Sequence, residues 1–449
     1  MSITTAVIDK LLSNKYNSMR GGIMEPKVFQ SVKNIDIAVI GGSASGFAAA
    51  ICAAMENKNL KIAIFEKGAR VGRKILATGN GRCNLSNKDL SMTRYHGNNK
   101  DFALSALTEY DFDKTMVFFE RIGILTAELE DGKVYPMGLQ ASAVVDMLRL
   151  KAKSEGIFEV TDFDVRKIKP NGDTFIVSDK NGDSIKAKKV IVCTGGKAAP
   201  EFGTDGSAYS LVTELGHRLT ETFPALVQLK CDAKRVRGLK GVKLMGNATL
   251  ICDGKTIKKE YGEVMFTDYG LSGPPIFQLS REASERLNKG NKDIKIKIDL
   301  IPNYEFYQLE SILTERRKNL SELECEHFLN GMLNKQIAKQ ILKESDESLK
   351  LNLPCSKISD KTIKVLANKI KGWEFEVTGT NPWKNAQVTA GGINTLDVNE
   401  KTMESKKIKG LYLAGEILDI DGDCGGFNLQ WAWSSGFSAG KDAAKSITR

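Results

Sequence analysis

The stretch Asp36-Ile-Ala-Val-Ile-Gly-Gly-Ser-Ala-Ser-Gly46 decides the fold. Ile37–Ile40 is a short apolar run of the kind that forms a buried parallel strand. Two glycines then force a tight turn, and the small residues of Phe47–Met55 predict a helix. A strand, a glycine turn and a helix in this order place the pyrophosphate of a dinucleotide on the helix N-terminus.

An acidic residue follows at the distance that this interpretation requires. The next predicted strand, Lys61–Phe65, leads into Glu66, which lies 20 residues after Gly46 (66 − 46) and can accept hydrogen bonds from an adenosine ribose. Ser43 departs from the Gly-x-Gly-x-x-Gly pattern, but serine is small and can itself donate a hydrogen bond. The glycines alone would also fit an ordinary tight turn; the strand, helix and acid around them favour the dinucleotide.

A basic, glycine-rich loop follows Glu66. Its glycines and cations are Gly68, Arg70, Gly72, Arg73, Lys74, Gly79, Gly81 and Arg82. So many glycines are incompatible with a regular element, and the cations suit a diphosphate and the ring system beyond it.

Size and composition are those of a globular protein of two or three domains, with 449 residues, 41% hydrophobic and 27% charged. No apolar run approaches the roughly 20 residues of a spanning helix. The N-terminus lacks the pattern of a signal peptide. We therefore expect a cytoplasmic protein, with residues 1–33 as a weakly structured extension and Met24 as an alternative start.

Metal sites are not predicted. The eight cysteines are scattered without a Cys-x-x-Cys pair, which indicates reduced thiols and argues against a dithiol flavoenzyme, a zinc ribbon or an iron–sulfur cluster. The three histidines, His96, His217 and His327, have unrelated spacings. Each is interpreted as a structural or surface residue.

Positive charge is concentrated in residues 230–260, which hold nine Lys or Arg against three acids. Two interpretations stay open for this stretch. It is either an ordinary solvated face or a surface for an anionic partner, such as RNA or an acidic small molecule.

The second half of the chain predicts an insertion followed by a return to the first domain. Strands are predicted at Ala248–Cys252, Thr256–Phe266 and Asp293–Leu300, and helices at Tyr304–Arg317, Glu322–Lys343 and Lys361–Lys371. A buried strand in Gly410–Asp419 and a small-residue helix opened by Gly425–Gly436 then complete the nucleotide domain. Such an α/β chain binds one long dinucleotide across its two ends, as FAD-type Rossmann domains do.

Several further motifs carry a resemblance to a known family. They are Glu66-Lys67, Gly72–Asn87, Val134-Tyr-Pro136, Thr194-Gly-Gly196, Gly262–Pro274, Thr389-Ala-Gly-Gly392, Gly410–Asp419 and Gly425–Gly436. In this order, from about Asp36 to the C-terminus, the chain resembles the BaiN/RdsA family of bacterial flavoproteins. Ser43 and the extension before Asn34 are its departures.

The resemblance implies bound FAD in a Rossmann-type domain and an inserted β-barrel-like domain with a helical subdomain. The implied boundaries are 1–33 for the extension, 34–220 and 386–449 for the FAD-binding domain, and 221–385 for the insertion, with its helices at about 301–371. It also implies reduction of a carbonyl-conjugated C=C bond, with NAD(P)H as transient donor and flavin N5 as the source of hydride.

Within this family the substrate stays open. An enone of an oxidised bile acid is favoured, and the alternative is a uridine of 23S ribosomal RNA, reduced to dihydrouridine. An aminoacetone-type amine oxidase and a non-catalytic flavin-binding protein of the ribosome are further alternatives. The choice of NADH or NADPH and the oligomeric state are not predicted.

Site residues follow from matching the family motifs. The predicted cofactor-binding residues are Gly41, Gly42, Ser43, Ala44, Ser45, Gly46, Glu66, Lys67, Arg73, Lys74, Thr78, Gly79, Asn80, Arg82, Cys83, Asn84, Thr194, Gly195, Gly196, Gly415, Glu416, Asp419, Gly426, Phe427, Asn428, Leu429 and Gln430. Asp268, Tyr269 and Cys424 are candidate proton donors, although a structural role suits each of them as well.

Overall fold

The computed structural model describes residues 32–448, which divide into two compact units. Unit 1 comprises residues 32–196, 200–221 and 391–448, and unit 2 comprises residues 197–199 and 222–390. Residues 1–31 of the predicted N-terminal extension lie outside the described residues.

The described chain contains both strands and helices. The strands are β1 (Asn34–Ile40), β2 (Ile62–Phe65), β3 (Ser86–Asn87), β4 (Tyr95–His96), β5 (Thr126–Glu128), β6 (Lys133–Pro136), β7 (Phe158–Val160), β8 (Val165–Asn171), β9 (Thr174–Asp179), β10 (Ser184–Val192), β11 (Phe223–Ala225), β12 (Leu229–Cys231), β13 (Lys243–Cys252), β14 (Lys255–Phe266), β15 (Gly270–Ser272), β16 (Ile294–Asp299), β17 (Trp373–Thr380), β18 (Val388–Ala390), β19 (Leu411–Leu413) and β20 (Asp421–Gly422). The α-helices are α1 (Ala44–Glu56), α2 (Arg73–Ala77), α3 (Ala103–Glu109), α4 (Phe112–Arg121), α5 (Ala141–Ser154), α6 (Tyr209–Thr213), α7 (Ala233–Val236), α8 (Pro274–Asn288), α9 (Phe306–Asn319), α10 (Lys335–Ser345), α11 (Asp360–Lys371) and α12 (Phe427–Thr448).

Unit 1 is built on a seven-stranded sheet. Its order is β7-β2-β1-β10-β9-β8, with β19 also paired to β10. The pairs of β1 with β2 and β10, of β2 with β7 and of β10 with β19 are parallel. Ile37, Ala38 and Val39 are fully buried, as expected for a central strand covered on both faces. The predicted Rossmann-type fold is confirmed.

Helices α1 and α12 pack against each other with their backbones in near contact. A Cβ added at Gly436 would lie 2.5 Å from the Ser45 carbonyl oxygen, and one at Gly440 would lie 2.1 Å from that of Ala49. Glycines on α12 and small residues on α1 therefore set the distance between these helices. The N-terminal nucleotide turn and the C-terminal helix are joined by this contact.

Unit 2 contains a closed barrel of strands β12-β15-β14-β13-β16-β17, as the resemblance implied. In β16 the residues Ile294, Ile296 and Ile298 are buried, whereas the residues between them are partly exposed, as expected for a strand with one face on the barrel core. The predicted strand Asp293–Leu300 is thus confirmed. The rings of Phe266, Trp373 and Phe375 fill part of the barrel core, with centroids 4.7–5.6 Å apart.

The predicted helix Glu322–Lys343 is wrong in its first half. The structure has a 3-10 turn at Cys325–His327 and then irregular chain, and α10 begins only at Lys335. Gly331 has a φ of +82°, which interrupts a right-handed helix, and the Asn334 side chain caps α10 by accepting from the Gln336 N–H. The chain before α10 instead pairs with a distant segment, through a bridge between Glu324 and Pro354.

The contact between α1 and α12 gives a stability prediction. Gly440→Ala should lower the free energy of unfolding by about 1–3 kcal/mol, because the added methyl group meets the backbone of α1 and overpacks the contact. Gly138→Ala is the control, since a Cβ there has no atom within 4 Å. Urea unfolding of both variants measures the difference. Equal stability of the two variants would contradict the close helix approach.

A partly buried carboxylate in unit 2 gives a pH prediction. Burial alone would raise the pKa of Glu344, but hydrogen bonds from Arg235, Gln340 and Trp373 lower it to about 2. The folded-state pKa lies below the usual value of 4.5. The stabilisation is therefore complete above pH 4.5 and is lost as the pH falls towards 2.

Glu344→Gln should consequently lower stability at pH 7, by on the order of 2 kcal/mol. It should also flatten the loss of stability between pH 4.5 and pH 2. Thermal midpoints measured across this range test both effects. Glu347→Gln, at an exposed residue, serves as control. If both variants lose stability in the same way between pH 4.5 and pH 2, Glu344 does not have the proposed role.

Candidate cofactor and active site

The carboxyl ends of the parallel strands in unit 1 bring most predicted site residues to one sheet edge. Strand β1 leads into Gly41, β2 into Glu66, β10 into Thr194 and β19 into Gly415. Open α/β sheets bind ligands outside this edge. The structure therefore gathers motifs that are up to several hundred residues apart in the chain.

Gly41 and Gly46 are required by close backbone contacts in the turn after β1. Gly41 has a φ of +102°, and a Cβ on it would lie 2.4 Å from the carbonyl oxygen of Cys193. A Cβ on Gly46 would lie 1.9 Å from the Gly41 carbonyl oxygen. Ser43 has an extended backbone with a φ of −118°, which any residue adopts. This geometry explains why serine can replace the middle glycine.

The start of α1 offers unpaired N–H groups to an anion. Ser43 is the N-cap residue, yet its side chain makes no capping hydrogen bond, and the first turn contains no acid. The N–H groups of the first turn and the positive end of the helix dipole thus favour a bound phosphate.

Glu66 is fixed beside this turn by two backbone donors. Its Oε2 accepts from the Gly42 N–H at 3.0 Å and its Oε1 from the Gly68 N–H at 2.8 Å. A carboxylate has about four acceptor positions, so both oxygens can still accept from ribose hydroxyls.

A pocket beside Glu66 contains residues that the sequence interpretation missed. Besides Ile40, Gly41 and Phe65–Lys67, its lining includes Phe163–Val165, Gly203 and residues 205–208. Asp205 forms an ion pair with Lys67 at 2.9 Å. Burial opposes ionisation of Asp205, but hydrogen bonds from Ser207 and Lys67 lower its pKa to about 2. The sequence does contain a signal for these residues. It is the turn Gly203-Thr-Asp-Gly206, a second glycine turn soon after Gly195-Gly196.

The cations of the basic loop are held in place individually. Lys74 forms an ion pair with Glu416, and Arg73 Nη2 donates to the Glu201 carbonyl at 2.6 Å. The Arg82 guanidinium lies over the Tyr135 ring, with its Cζ 5.0 Å from the ring centroid. These contacts place fixed positive charge beside the glycine turns, which suits a diphosphate.

The remainder of this loop is shaped by left-handed backbone. Gly79 and Asn80 both have positive φ, and the Cys83 N–H donates to the Thr78 carbonyl. Burial raises the pKa of the Cys83 thiol to about 12, so the thiol stays protonated at neutral pH. Of the predicted binding residues here, Cys83 is the one whose side chain is fully buried.

At the C-terminal side of the site, β3 lies against the turn before α12. A Cβ on Gly426 would lie 2.3 Å from the Ser86 carbonyl oxygen and 2.9 Å from Asn84 Oδ1. Asn87 Nδ2 donates to the Gly425 carbonyl at 2.9 Å. The first N–H groups of α12 therefore begin beside the end of the basic loop.

Two predicted side chains near α12 are occupied within the protein. Asn428 clamps Gly422, accepting from its N–H at 2.8 Å and donating to its carbonyl at 2.7 Å. Gln430 is fully buried and exchanges hydrogen bonds with Ser86 and Thr115. Contact of these residues with a ring through their backbone stays a prediction.

Three buried polar atoms show that the site fits a large polar cofactor such as FAD. The atoms Asn84 Oδ1, Thr194 Oγ1 and Tyr209 Oη are buried without a hydrogen-bond partner in the described structure. Buried polar groups are rarely left unpaired. Asn84 and Thr194 belong to the predicted cofactor residues, whereas Tyr209 on α6 was not predicted. Its pKa is raised by burial and by the nearby carboxylates Glu416 and Asp419.

The candidate proton donors are divided between the units. Asp268 and Tyr269 lie in the turn between β14 and β15 of unit 2, and Asp268 is exposed. A hydrogen bond from Lys240 at 2.8 Å lowers the pKa of Asp268, which favours the ionised form. Cys424 belongs to unit 1, where burial raises the pKa of its thiol. Neither shift favours proton donation at neutral pH.

These features define a class of protein, the flavoproteins with a Rossmann-type FAD-binding domain. The chain belongs to the HI0933-like family, whose Rossmann-domain model matches residues 35–442. This match, together with the relatives described below, confirms the predicted membership in the BaiN/RdsA family, and the protein is an FAD-dependent oxidoreductase. No helix among residues 32–448 has the length and apolar character needed to cross a membrane.

Known relatives align with most of this chain over nearly their own full length. The chain is 36% identical to a 3-dehydro-bile acid delta(4,6)-reductase of Clostridium scindens, over 91% of this chain and 99% of the relative. It is 30% identical to a ribosomal RNA dihydrouridine synthase of Haemophilus influenzae, over 92% and 98%. A solved flavocytochrome c3 fumarate reductase aligns with a TM-score of 0.47 and 16% identity, covering 96% of this chain and 82% of that one.

The unpaired hydroxyl of Thr194 gives a prediction that separates cofactor binding from folding. Thr194→Val should weaken FAD binding to the apoprotein about 3- to 10-fold, because it removes one hydrogen-bonding group of the site. It should not lower the thermal midpoint of the apoprotein, because the hydroxyl has no partner there. Flavin fluorescence titration and apoprotein melting measure the two quantities.

The matched control is Ser284→Ala, which removes a buried hydroxyl that likewise lacks a partner but lies in unit 2. It should leave both the FAD affinity and the melting temperature unchanged. A Thr194→Val apoprotein that melts earlier while binding FAD normally would show that this hydroxyl serves the fold.

Proposed function

We propose that this protein uses NAD(P)H to reduce a carbonyl-conjugated C=C bond, and that its substrate is an enone of an oxidised bile acid. The observation that carries the proposal is the 36% identity to the bile acid reductase across 99% of that enzyme's length. The identity to the ribosomal RNA dihydrouridine synthase is lower, at 30%.

The chain's own residues supply binding and orientation for this reaction. Gly41–Gly46 and the start of α1 would hold the pyrophosphate, Glu66 the ribose, and the basic loop with Thr194, Glu416 and Asp419 the remainder of FAD. The cofactor supplies hydride chemistry when it is bound. The N-terminus of α12 favours negative charge near the ring, as forms on flavin reduction.

Ribosomal RNA is the second candidate substrate, and the charge of unit 2 favours it. Arg235, Lys240, Lys243 and Lys258 of the basic stretch form ion pairs with acids. The other five cations form no salt bridge in the described part of the chain: Lys230, Lys234, Arg237, Lys255 and Lys259. Unneutralised cations of this kind bind the phosphates of a nucleic acid.

Anaerobic stopped-flow absorbance distinguishes the candidates. The flavin should be reduced by NADPH or NADH and then reoxidised by a 3-oxo-4-ene bile acid, with the saturated ketone as product. Reoxidation by ribosomal RNA from a strain lacking dihydrouridine, and not by the enone, would replace the bile acid with RNA. Reoxidation by air alone, with peroxide and aminoacetone turnover, would indicate an oxidase. Flavin that resists NAD(P)H would indicate a binding protein.

Whether RNA is the substrate can also be tested through the cations of the basic stretch. Replacing Lys230, Lys234 and Arg237 with Gln should weaken RNA binding and lower its salt dependence if RNA is the substrate. The control is a triple Gln variant of three exposed lysines outside the basic stretch, Lys335, Lys350 and Lys361. Equal RNA affinity of the two variants would remove the support that the basic stretch gives to this candidate.

A further inference from the structure

A histidine–aspartate pair lies beside the N-terminus of α12. His96 ends β4, which pairs with β20, and its Nε2 lies 2.8 Å from Asp423 Oδ1. The Asp423 side chain is 5% exposed and that of His96 is 20% exposed. The sequence interpretation took His96 for a structural or surface residue, because the three histidines have unrelated spacings. Its partner Asp423 is 327 positions away in the chain.

Asp423 is held by several elements, so its carboxylate has a fixed direction. Its backbone N–H donates to the Arg94 carbonyl at 2.8 Å, and its own carbonyl accepts from Asn428 Nδ2 at 3.3 Å. Arg94 Nη1 also lies 3.6 Å from Asp423 Oδ2. The carboxylate orients the imidazole through Nε2, which leaves Nδ1 without a hydrogen-bond partner among residues 32–448.

The pair is flanked by residues predicted to hold the flavin end of the cofactor. Asp423 precedes Gly426 by three positions, at the turn that opens α12. On the other side, Gly97 packs so closely on Asp419 that an added Cβ would lie 2.3 Å from its carbonyl oxygen. The Asn98 N–H donates to Asp419 Oδ2 at 3.3 Å. His96 is thus joined to both segments.

We propose that His96 is the proton donor of the reaction and that Asp423 is its positioning residue; this rests on the proposed reduction of a conjugated C=C bond. Hydride, supplied by NAD(P)H through the bound cofactor, would add to the β-carbon, and the π electrons of the C=C bond would move onto the carbonyl oxygen. The α-carbon then takes the proton from Nδ1 of the imidazolium. After the transfer, neutral His96 keeps the proton on Nε2, which is hydrogen-bonded to Asp423. Because the His96 side chain is 20% exposed, water can reprotonate Nδ1.

His96 suits this role better than the donors considered from sequence. Asp268 is exposed and paired with Lys240, and the Cys424 thiol is made a weaker acid by burial. Histidine is the side chain that most often transfers protons in enzymes, and a carboxylate that orients the imidazole is a recurrent arrangement. The proposal also gives the buried carboxylate of Asp423 a role beside the turn that opens α12.

The test uses His96→Gln, loaded with FAD, reduced with dithionite and mixed anaerobically with a 3-oxo-4-ene bile acid. Flavin reoxidation should slow about 100-fold or more, the size of a lost general acid. The affinity of the apoprotein for FAD and its melting temperature should stay within error of the wild type. Imidazole added to His96→Gly should restore part of the rate, and Asp423→Asn should slow reoxidation less than His96→Gln does.

His327→Gln is the matched control, because His327 is an exposed histidine of unit 2. Wild-type rates in His96→Gln would overturn the proposal. So would a loss of FAD affinity that accounts for the slower rate, since this would indicate a structural role. If the reduced wild-type enzyme transfers nothing to the enone, the proposed function itself fails and the role of His96 falls with it.

Discussion

The backbone contact between the turn after β1 and the end of β10 is the constraint on which unit 1 depends. Gly41 lies so close to the Cys193 carbonyl that only glycine fits, and Gly46 is pressed equally closely against Gly41. This contact brings the start of α1 down onto the sheet edge. The free N–H groups of the helix then face the place where a pyrophosphate binds in Rossmann domains. Glu66 is fixed by the same turn, through the Gly42 N–H.

Internal ion pairs explain how the site can be strongly cationic without destabilising the fold. Lys67 is paired with Asp205 and Lys74 with Glu416, so each cation keeps a fixed position. Both acids come from segments distant in sequence from the basic loop. A phosphate bound beside these pairs would meet lysine side chains that are already ordered, so less conformational entropy would be lost on binding than with free lysines.

The sequence predicted those parts of the structure whose signals are local. The strand, turn and helix of residues 36–56, the strand β16 and the C-terminal helix all follow from residues that are neighbours in the chain. The prediction of a helix over residues 322–334 was wrong because the apolar periodicity continues across Gly331, whose positive φ interrupts a helix. Pairing with Pro354 gives this segment an irregular conformation instead. Asp205 and the pairing of His96 with Asp423 were missed for a similar reason. Both depend on contacts that only the folded chain creates.

The distribution of residues between the units explains how one flavoprotein family can serve different substrates. Every predicted cofactor-binding residue belongs to unit 1, and its two chain segments are held together by the α1–α12 contact. The barrel of unit 2 carries the unpaired cations of the basic stretch, which take no part in the glycine turns or in the pairs of the basic loop. Surface charge there can change without disturbing the glycine turns that are predicted to hold FAD. If His96 and Asp423 act as proposed, the proton chemistry also lies in unit 1, apart from the charges of unit 2.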